Sequence, residues 1–552
     1  MQKILKMYRY ALGAAVAIAS ATLLRLILIL KGWPPTNGDE AIMNLMALHI
    51  VEKGEHPTFL YGQNYIGAFE AYVGALMFRL FGVSVLSMRL GPIMFYCGFL
   101  TCMYFITSRL YTRPLALITV VLLGLGSQWL FDFQLETVGY TPLPFLCALL
   151  FLLSYQLVRS QAAWYWRAIR YLLWGVVAGV AIWVQFIVVP YVLVSGLLLV
   201  VEWRPLLKYG LWFVLVGLVI GAFPLIYYNL HAAPGSDSLS IFMSMSKLGA
   251  SNHYPLKSYI YSPFVITLPA TLGLGPNCYI GHLPIVPLVY PHTPTCLIAQ
   301  AVYGFGYVVL LIVAGIMACA ALFIARRHQM RQEYIQHWAR LMLLIGAGLT
   351  LLAFAHSSTS VYSGVLGVRY LICTLVSLPA VLWALWKGLD YIRKLLPQIG
   401  KWPSMVVRLS VVAMLCLVSM DATVHIFERI PAAQASQQQF MQLAERLESL
   451  HITRFFSEYW TCNQLIFQTQ EQLVCADTWG NLTHGYDRYK AYRAMVEANP
   501  NPGFVYPKGS GRIPELETAL KATHTPYRRF EIAGVVIYQP AHRVPGVKLY
   551  KN

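Results

Sequence analysis

The sequence is dominated by apolar runs too long for a soluble core. The first, ALGAAVAIASATLLRLILIL, fills residues 11 to 30, and a membrane-crossing helix needs about 20 such residues. Comparable runs lie near residues 10–30, 88–108, 115–131, 140–158, 171–187, 188–203, 207–226, 301–325, 340–356, 370–388 and 405–421. Lipid offers the backbone no hydrogen-bond partners, so such runs become helices packed in a bundle. The expected fold is mostly α: a polytopic membrane bundle of about eleven spans. The fifth and sixth run together through GVAIWVQFIVVPYVLV, so a tight re-entrant pair is an alternative there.

Only 12% of residues are charged, yet the formal net charge is +18. A nucleic-acid binder would cluster its cations on one folded face. Here they fall in short turns between apolar runs: Lys3, Lys6 and Arg9; Arg109 and Arg113; Arg159, Arg167 and Arg170; Arg204 and Lys208; Arg326, Arg327 and Arg331; Arg393, Lys394 and Lys401. With the N-terminus inside, every inner turn is basic, as the positive-inside rule requires. The expectation is a multi-pass protein of the cytoplasmic (inner) membrane with its C-terminal stretch outside. AIASA has the small residues of a signal-peptidase site, but the apolar run continues through LLRLILIL, so an uncleaved first span is expected. Arg25 within it is expected to snorkel or face a cavity, because a lipid-facing charge is costly.

Three long outer pieces remain, at 31–87, 227–300 and about 428–552. The middle one, with PNCYIGHLPIVPLVYPHTPTC, has little helical period and is expected to be an ordered loop over the membrane mouth. In the last, LAERLESL and RIPELETALKA fit helices, TRFFSEYW, QLVCA and GFVYP fit strands, and EIAGVVIYQ fits a hairpin. Alternating helix and strand predicts a small extracytoplasmic α/β domain, giving domains 1–427 and 428–552.

The first outer piece opens KGWPPTNGDEAIMNLMALHIVEKGEHP. Asn37 can cap a helix, Asp39 and Glu40 fall in its first turn, and Gly54 stops it. Ile42, Leu45, Met46, Ile50 and Val51 share one side, which predicts an amphipathic helix on the outer surface. Acids in a first turn also satisfy free N–H groups and the helix dipole without further function. Other outward charges lie at the same level, however: Glu136 in FDFQLETVGY, Arg89 at the start of the second span and Arg369 in GVLGVRYLICTLVSLP. Acids can take a proton from a hydroxyl and arginines can hold a phosphate. These are the parts of a transferase whose leaving group is a phosphate.

The stretch GDEAIMNLMALHIVEKGEHPTFLYGQNYIGAFEAYVGALMFRLFGVSVLSMRLGP resembles the first outer loop of the C-class glycosyltransferases, especially the bacterial relatives of protein O-mannosyltransferases and of the aminoarabinose lipid A transferase. The matching features are the acid pair followed by Ala, the G-x-x-P after the first interfacial helix, a second interfacial helix ending in LFG and an Arg opening the next span. GAFPLIYYNL and VRYL resemble later features of the family. The resemblance implies a sugar donor on a polyprenyl phosphate, an unknown acceptor hydroxyl, transfer outside the cytoplasm and inversion at the anomeric carbon. It makes Asp39 the general base with Glu40 as neighbour, since adjacent helical residues point about 100° apart and cannot serve one pocket equally. It gives Glu136 the acid of the second outer loop and gives Arg369 and Arg89 the leaving phosphate. Tyr65, Glu70 and Tyr370 complete the residues expected at the substrate. The chain departs from the lipid A subgroup at YIGAFEAY, where that subgroup has Lys-Pro-Pro; this weakens an aminoarabinose assignment and shifts phosphate binding onto arginine.

Cys278 and Cys296 flank the Pro-rich excursion and are the first disulfide candidates; Cys462 and Cys475 are the second. His231, His253, His282 and His292 share an outer loop without tight ligand spacing. No cofactor is assigned, and a divalent metal ion stays open because some relatives of the family use one. The second functional class is a transporter or flippase of lipid-linked sugars, in which the same charges would form a pathway. Few charges lie mid-span and no inverted repeat is apparent, which favours the enzyme.

Overall fold

The computed structural model describes residues 2–241, 243–244, 254–274, 294–395, 401–545, 547 and 549. The chain forms two compact units. The first comprises Met1–Ile27, Pro92–Leu135 and Gly139–Glu428; the second comprises Leu28–Gly91, Glu136–Val138 and Arg429–Asn552. This grouping differs from a simple division after residue 427. A loop of about 60 residues cannot build a sufficient core of its own, and residues 28–91 share one with the C-terminal segment.

The first unit is a bundle of apolar helices, and the protein is polytopic. Among the described residues, eight helices are long and apolar enough to cross a membrane, or nine if one bent pair counts as a span. The expected eleven differ for identifiable reasons. The run at 115–131 is two helices, α5 (Arg113–Gly124) and α6 (Gln128–Leu135), meeting at 87°. The run at 140–158 is α7 (Leu143–Arg159), only 17 residues long. Residues Phe186–Gly221 are helical without a break, and the two spans expected there correspond to α9 (Val189–Leu199) and Leu211–Gly221.

That stretch reverses direction within itself. A Cβ on Gly175 of α8 (Trp164–Val184) would strike Val214, and one on Gly179 would lie 2.5 Å from the Leu218 carbonyl. Advancing four residues on one helix advances four on the other, so α8 and Leu211–Gly221 run parallel, and the chain between them crosses back through α9 (Val189–Leu199). Gly175 and Gly179 face Gly217 and Gly221, a small-xxx-small pair that lets the two backbones touch.

Basic turns of the bundle gather by contact. Glu202 pairs with Arg331 and lies 4.0 Å from Arg167, while Gln336 Nε2 donates to the Leu110 carbonyl at 2.7 Å near Arg109 and Arg113. Arg25 neither snorkels nor faces a cavity. It is fully buried, donates to Gln134 Oε1 at 2.5 Å and to the Gly124 carbonyl at 3.0 Å, and its guanidinium lies between the rings of Tyr96 and Phe131 at 3.7 and 3.9 Å. Neutral acceptors and ring faces replace water around it.

Part of the middle outer piece is helical, contrary to the loop expectation. Leu256–Tyr261, Ser262–Thr267 and Leu268–Thr271 follow one another. Pro263 and Pro269 stand at positions where a missing N–H costs little, and Thr267 Oγ1 donates to the Gly364 carbonyl at 2.8 Å.

The second unit is built around a mixed five-stranded sheet in the order β4-β3-β5-β7-β6. Its strands are β3 (Arg454–Ser457), β4 (Val474–Asp477), β5 (Gly503–Pro507), β6 (Tyr527–Ile532) and β7 (Val535–Pro540); a separate hairpin pairs β1 (Phe59–Leu60) with β2 (Gln63–Gly67). Strands β4, β3 and β5 run parallel, with Arg454 opposite Val474 and Phe455 opposite Gly503. VCAD in β4 is buried throughout, as a parallel strand covered on both faces should be. The edge strand YRRFEI is exposed and charged, which discourages further pairing. Cys462, on the helix Tyr459–Gln468, is disulfide-bonded to Cys475 on β4. Cys278 lies outside the described residues, and the expected Cys278–Cys296 bond therefore does too, as do His253, His282 and His292.

Candidate active site

Helix α2 (Gly38–Glu52) organises the site. Asn37 caps it, its Oδ1 accepting from the Glu40 N–H at 2.9 Å, and Gly54, with φ of +66°, lets the chain leave in a conformation that other residues rarely adopt. The helix is not the amphipathic surface element expected. Twelve of its fifteen residues are buried, because α3 (Phe69–Phe81) packs on it and Tyr459–Gln468 packs on it as well. The polar positions that looked solvent-facing are instead filled by specific partners.

Those partners separate the two acids. Glu40 is fully buried and takes a bidentate grip from Arg89, with Nε to Oε1 at 2.7 Å and Nη2 to Oε2 at 2.6 Å. Arg89 is 2% exposed and also donates to the Pro34 carbonyl at 2.8 Å. This ion pair matches the Arg89 guanidinium to a carboxylate where a phosphate was expected, and holds Glu40 against Arg89. Asp39, one residue earlier, keeps a third of its side chain exposed. Its Oδ1 accepts from the Tyr459 hydroxyl at 2.5 Å and from Arg488 Nη2 at 3.0 Å. Arg488 Nε in turn donates to the Tyr459 oxygen at 2.8 Å. Among the described residues nothing hydrogen-bonds Asp39 Oδ2, so one carboxylate oxygen is fixed and the other is available. Burial and the adjacent Asp39 carboxylate, only partly opposed by Arg488, push the Tyr459 phenol well above its ordinary range, which keeps it a donor.

Glu136 joins the same helix end. Asn37 Nδ2 donates to Glu136 Oε2 at 3.0 Å, and Thr137 Oγ1 donates to Asn44 Oδ1 at 3.2 Å. Asp39, Glu136 and the Glu40–Arg89 pair are therefore brought together at the start of α2. Glu70 is buried in the first turn of α3, and Tyr65 is half-buried on β2. Arg369 and Tyr370 belong to the membrane unit. There the Arg369 guanidinium lies 5.0 Å from the Tyr370 ring, 5.7 Å from Tyr140 and 6.0 Å from Phe133, an aromatic surround that favours a cation.

At the other end of α2 lies a second polar cluster. His49, fully buried, has Nδ1 at 2.9 Å from the Tyr61 hydroxyl and Nε2 at 3.1 Å from both Glu471 and the Tyr492 hydroxyl. Lys53 reaches Glu471 at 2.6 Å, and Tyr489 and Tyr61 both donate to Glu55. Burial alone would raise the Glu471 carboxyl, but the bonds from His49, Lys53 and Tyr492 bring it down to about 2. Sequence analysis missed these partners, as it missed Tyr459 and Arg488. The signal was present in DRYKAYR at residues 487–493, where cations alternate with aromatics in a segment otherwise read only for helix and strand.

Among the described residues no three His, Cys, Asp or Glu side chains cluster as a metal site. A guanidinium and a phenol O–H hold Asp39, a donor set that suits an anion and opposes a divalent cation.

No protein-family model and no curated protein matches the sequence. Solved structures do resemble it. ArnT from Cupriavidus metallidurans bound to undecaprenyl phosphate aligns with a TM-score of 0.58 at 14% identity, covering 98% of this chain and 99% of that one. Its apo state aligns with a TM-score of 0.56 over the same shares at 14% identity. The archaeal oligosaccharyltransferase AglB from Archaeoglobus fulgidus aligns at 0.43 and 12% identity, covering 96% of this chain and 74% of that one, a similarity too low to bear on the argument. End-to-end coverage by ArnT, together with the apolar bundle and the small α/β domain, shows that this chain has the fold of the C-class integral-membrane glycosyltransferases.

Proposed function

We propose that the protein transfers a sugar from a polyprenyl-phosphate donor to an acceptor hydroxyl at the outer face of the cytoplasmic membrane, with Asp39 as general base. The observation that carries this is the asymmetry of the acid pair: Glu40 is sealed against Arg89, whereas Asp39 is partly exposed with one oxygen fixed and the other available. The fold shared with an ArnT structure holding undecaprenyl phosphate supports the donor class. The basic turns that gather in the bundle support an inside location for those turns.

The step is a single displacement. The acceptor oxygen attacks the anomeric carbon as its proton passes to Asp39 Oδ2; the bond from that carbon to the phosphate oxygen breaks and polyprenyl phosphate leaves with the electron pair, so configuration inverts. Tyr459 and Arg488 hold the base in one orientation, which is where positioning contributes to rate. Glu136, linked to the helix cap through Asn37, orients the acceptor or sugar. Arg369 is assigned to the departing phosphate, where negative charge builds up as the bond breaks and a fixed cation lowers the barrier most.

The test is sugar transfer by purified protein from a radiolabelled polyprenyl-phosphate sugar pool extracted from its own cells. Asp39→Asn should abolish product while leaving the melting temperature nearly unchanged. Full transfer by that variant would remove Asp39 from the role.

A further inference from the structure

The start of α2 follows closely on α1 (Gln2–Leu30) in the chain and is gripped at Glu40 by Arg89 of α4 (Val85–Leu110). Its far end meets the C-terminal segment through His49, a fully buried residue that the chemistry above does not use. Titratable groups surround that ring from every side. Lys53 and Glu55 come from the chain just beyond α2, Tyr61 from the turn between β1 and β2, Glu471 from the turn after the helix Tyr459–Gln468, and Tyr489 and Tyr492 from the helix Lys490–Ala498 and its cap.

The neighbours' protons are already committed. The Tyr61 hydroxyl donates to Glu55 Oε2 and the Tyr489 hydroxyl to Glu55 Oε1 at 2.7 Å. The Tyr492 hydroxyl and Lys53 Nζ donate to Glu471 Oε1 at 2.9 and 2.6 Å. A phenol has one hydrogen to give, so toward His49 the Tyr61 and Tyr492 oxygens and the Glu471 carboxylate act as acceptors. Nδ1 lies 2.9 Å from the Tyr61 oxygen, and Nε2 lies 3.1 Å from both Glu471 Oε1 and the Tyr492 oxygen. Both ring nitrogens must then donate, and an imidazole with two N–H groups is the cation. A neutral ring would set a nitrogen lone pair against an oxygen lone pair in a buried site, which costs an unmade bond. Moving the proton to Glu55 is opposed, because against burial the bonds from Tyr61 and Tyr489 hold that carboxyl below its usual range. The charges agree: a protonated His49 with Lys53 balances Glu55 and Glu471, whereas a neutral ring leaves one carboxylate uncompensated.

From this arrangement we propose that His49 is a buried imidazolium that latches α2 to the C-terminal segment, and that loss of its proton opens the latch. One proton joins the end of α2, the β1–β2 turn, Glu471 and Tyr492. The stretch that carries Tyr489 and Tyr492 also carries Arg488, which holds Asp39, so release at one end of α2 reaches the base at the other. Resting on the transferase reading, the latch sets an alkaline limit to sugar transfer; the protonation of His49 does not depend on that reading. An unfolded histidine sheds its proton near about pH 6.5, whereas the folded protein keeps it. The folded state therefore binds more protons above that value, and its stability falls as pH rises.

Full-length protein carrying carbon-13 at histidine Cε1 is placed in nanodiscs and followed by NMR, with the His49 resonance identified as the one missing from His49→Gln. At about pH 7.5, where an unfolded histidine is mostly neutral, that resonance should hold the imidazolium position; a neutral-imidazole position there overturns the proposal. Tryptophan-fluorescence melts give a second reading. Between about pH 7 and 8.5 wild type should lose about 3–5 °C of melting temperature per pH unit relative to His49→Gln, and parallel curves overturn the proposal. Lys53→Met covers the case in which His49→Gln does not fold, since the Lys53 side chain is about one-third exposed. Removing that cation strengthens proton retention at His49, so the alkaline fall should move to higher pH; an unmoved fall, or one moved to lower pH, overturns the latch. Asp39→Asn should keep the wild-type pH dependence of melting, so full sugar transfer by Asp39→Asn would defeat the base assignment and leave the protonation result standing.

Discussion

Removing the carboxylate of Glu40 should unfold the second unit rather than slow its chemistry. Both of its oxygens are matched to Arg89, at 2.7 and 2.6 Å, and neither group is more than 2% exposed. In Glu40→Ala the guanidinium loses the carboxylate that meets it through two bonds. Breaking a buried pair from one side costs about 3–5 kcal/mol. In a unit of roughly 150–250 residues each kcal/mol lowers the melting temperature by about 2–4 °C, so the expected fall is about 6–20 °C. The double replacement Glu40→Leu with Arg89→Met removes both charges and should recover most of the loss, because apolar substitutes for buried pairs are often neutral or stabilising. Asp39→Asn is the control: asparagine retains an acceptor for Tyr459 and Arg488, and the cost should stay near or below about 1 kcal/mol. Tryptophan-fluorescence melts of purified protein, read beside sugar transfer, separate the cases. A Glu40→Ala protein that melts within about 2 °C of wild type but transfers no sugar would refute the structural assignment and make Glu40 the chemical residue.

Glu471, held at about 2 in the folded protein against burial, contributes stability that is complete above its unfolded value and lost as pH falls toward 2; Glu471→Gln should flatten the melting temperature across that acid range. Asp477 has the opposite sign. Burial raises it to about 6, only partly opposed by the Tyr486 N–H, so its contribution is complete at low pH and lost as pH rises through 6, and Asp477→Asn should raise the melting temperature at pH 7 and remove that slope. Replacing Cys462 and Cys475 with alanine opens a link across 13 positions and should cost about 2–4 kcal/mol, read as a fall in the unit's melting temperature. Gly179→Leu forces a side chain into the Leu218 backbone and should reduce folded yield in fluorescence-detected size exclusion far more than Gly315→Leu, where an added Cβ meets nothing within 4 Å.

Much of this architecture is written in local pattern. Hydropathy located the apolar helices, and alternation located TRFFS, VCA, GFVYP and the terminal hairpin, all of which are strands. The cap at Asn37 and the stop at Gly54 followed from the backbone needs of those two residues. What hydropathy could not show was the bend of 87° between α5 and α6, which is compatible with one unbroken run of apolar residues. The sequence reading passed over the Gly175/Gly179 and Gly217/Gly221 spacing, which marks the close packing of α8 on Leu211–Gly221. At the site, spacing on α2 could divide Asp39 from Glu40 by angle but could not say which faced a partner. That depended on Arg89, 49 residues away, and on Tyr459 and Arg488, 420 and 449 residues away. No local period carries contacts of that separation. The same distance explains the error over α2, whose polar residues resemble a wet face until Glu471 and Tyr492 are placed against His49.

That separation also sets an order of events in synthesis. Asp39 leaves the ribosome with α2, while the tyrosine and arginine that orient it follow more than 400 residues later. Until then α2 holds a buried histidine, a buried glutamate and an apolar surface without the segment that covers them. Contacts this far apart form slowly, because the intervening chain must be closed first. The proposed base is therefore aligned only in a chain whose bundle has already been inserted, and a product truncated before Tyr459 would carry an intact acid pair with no means of aiming it.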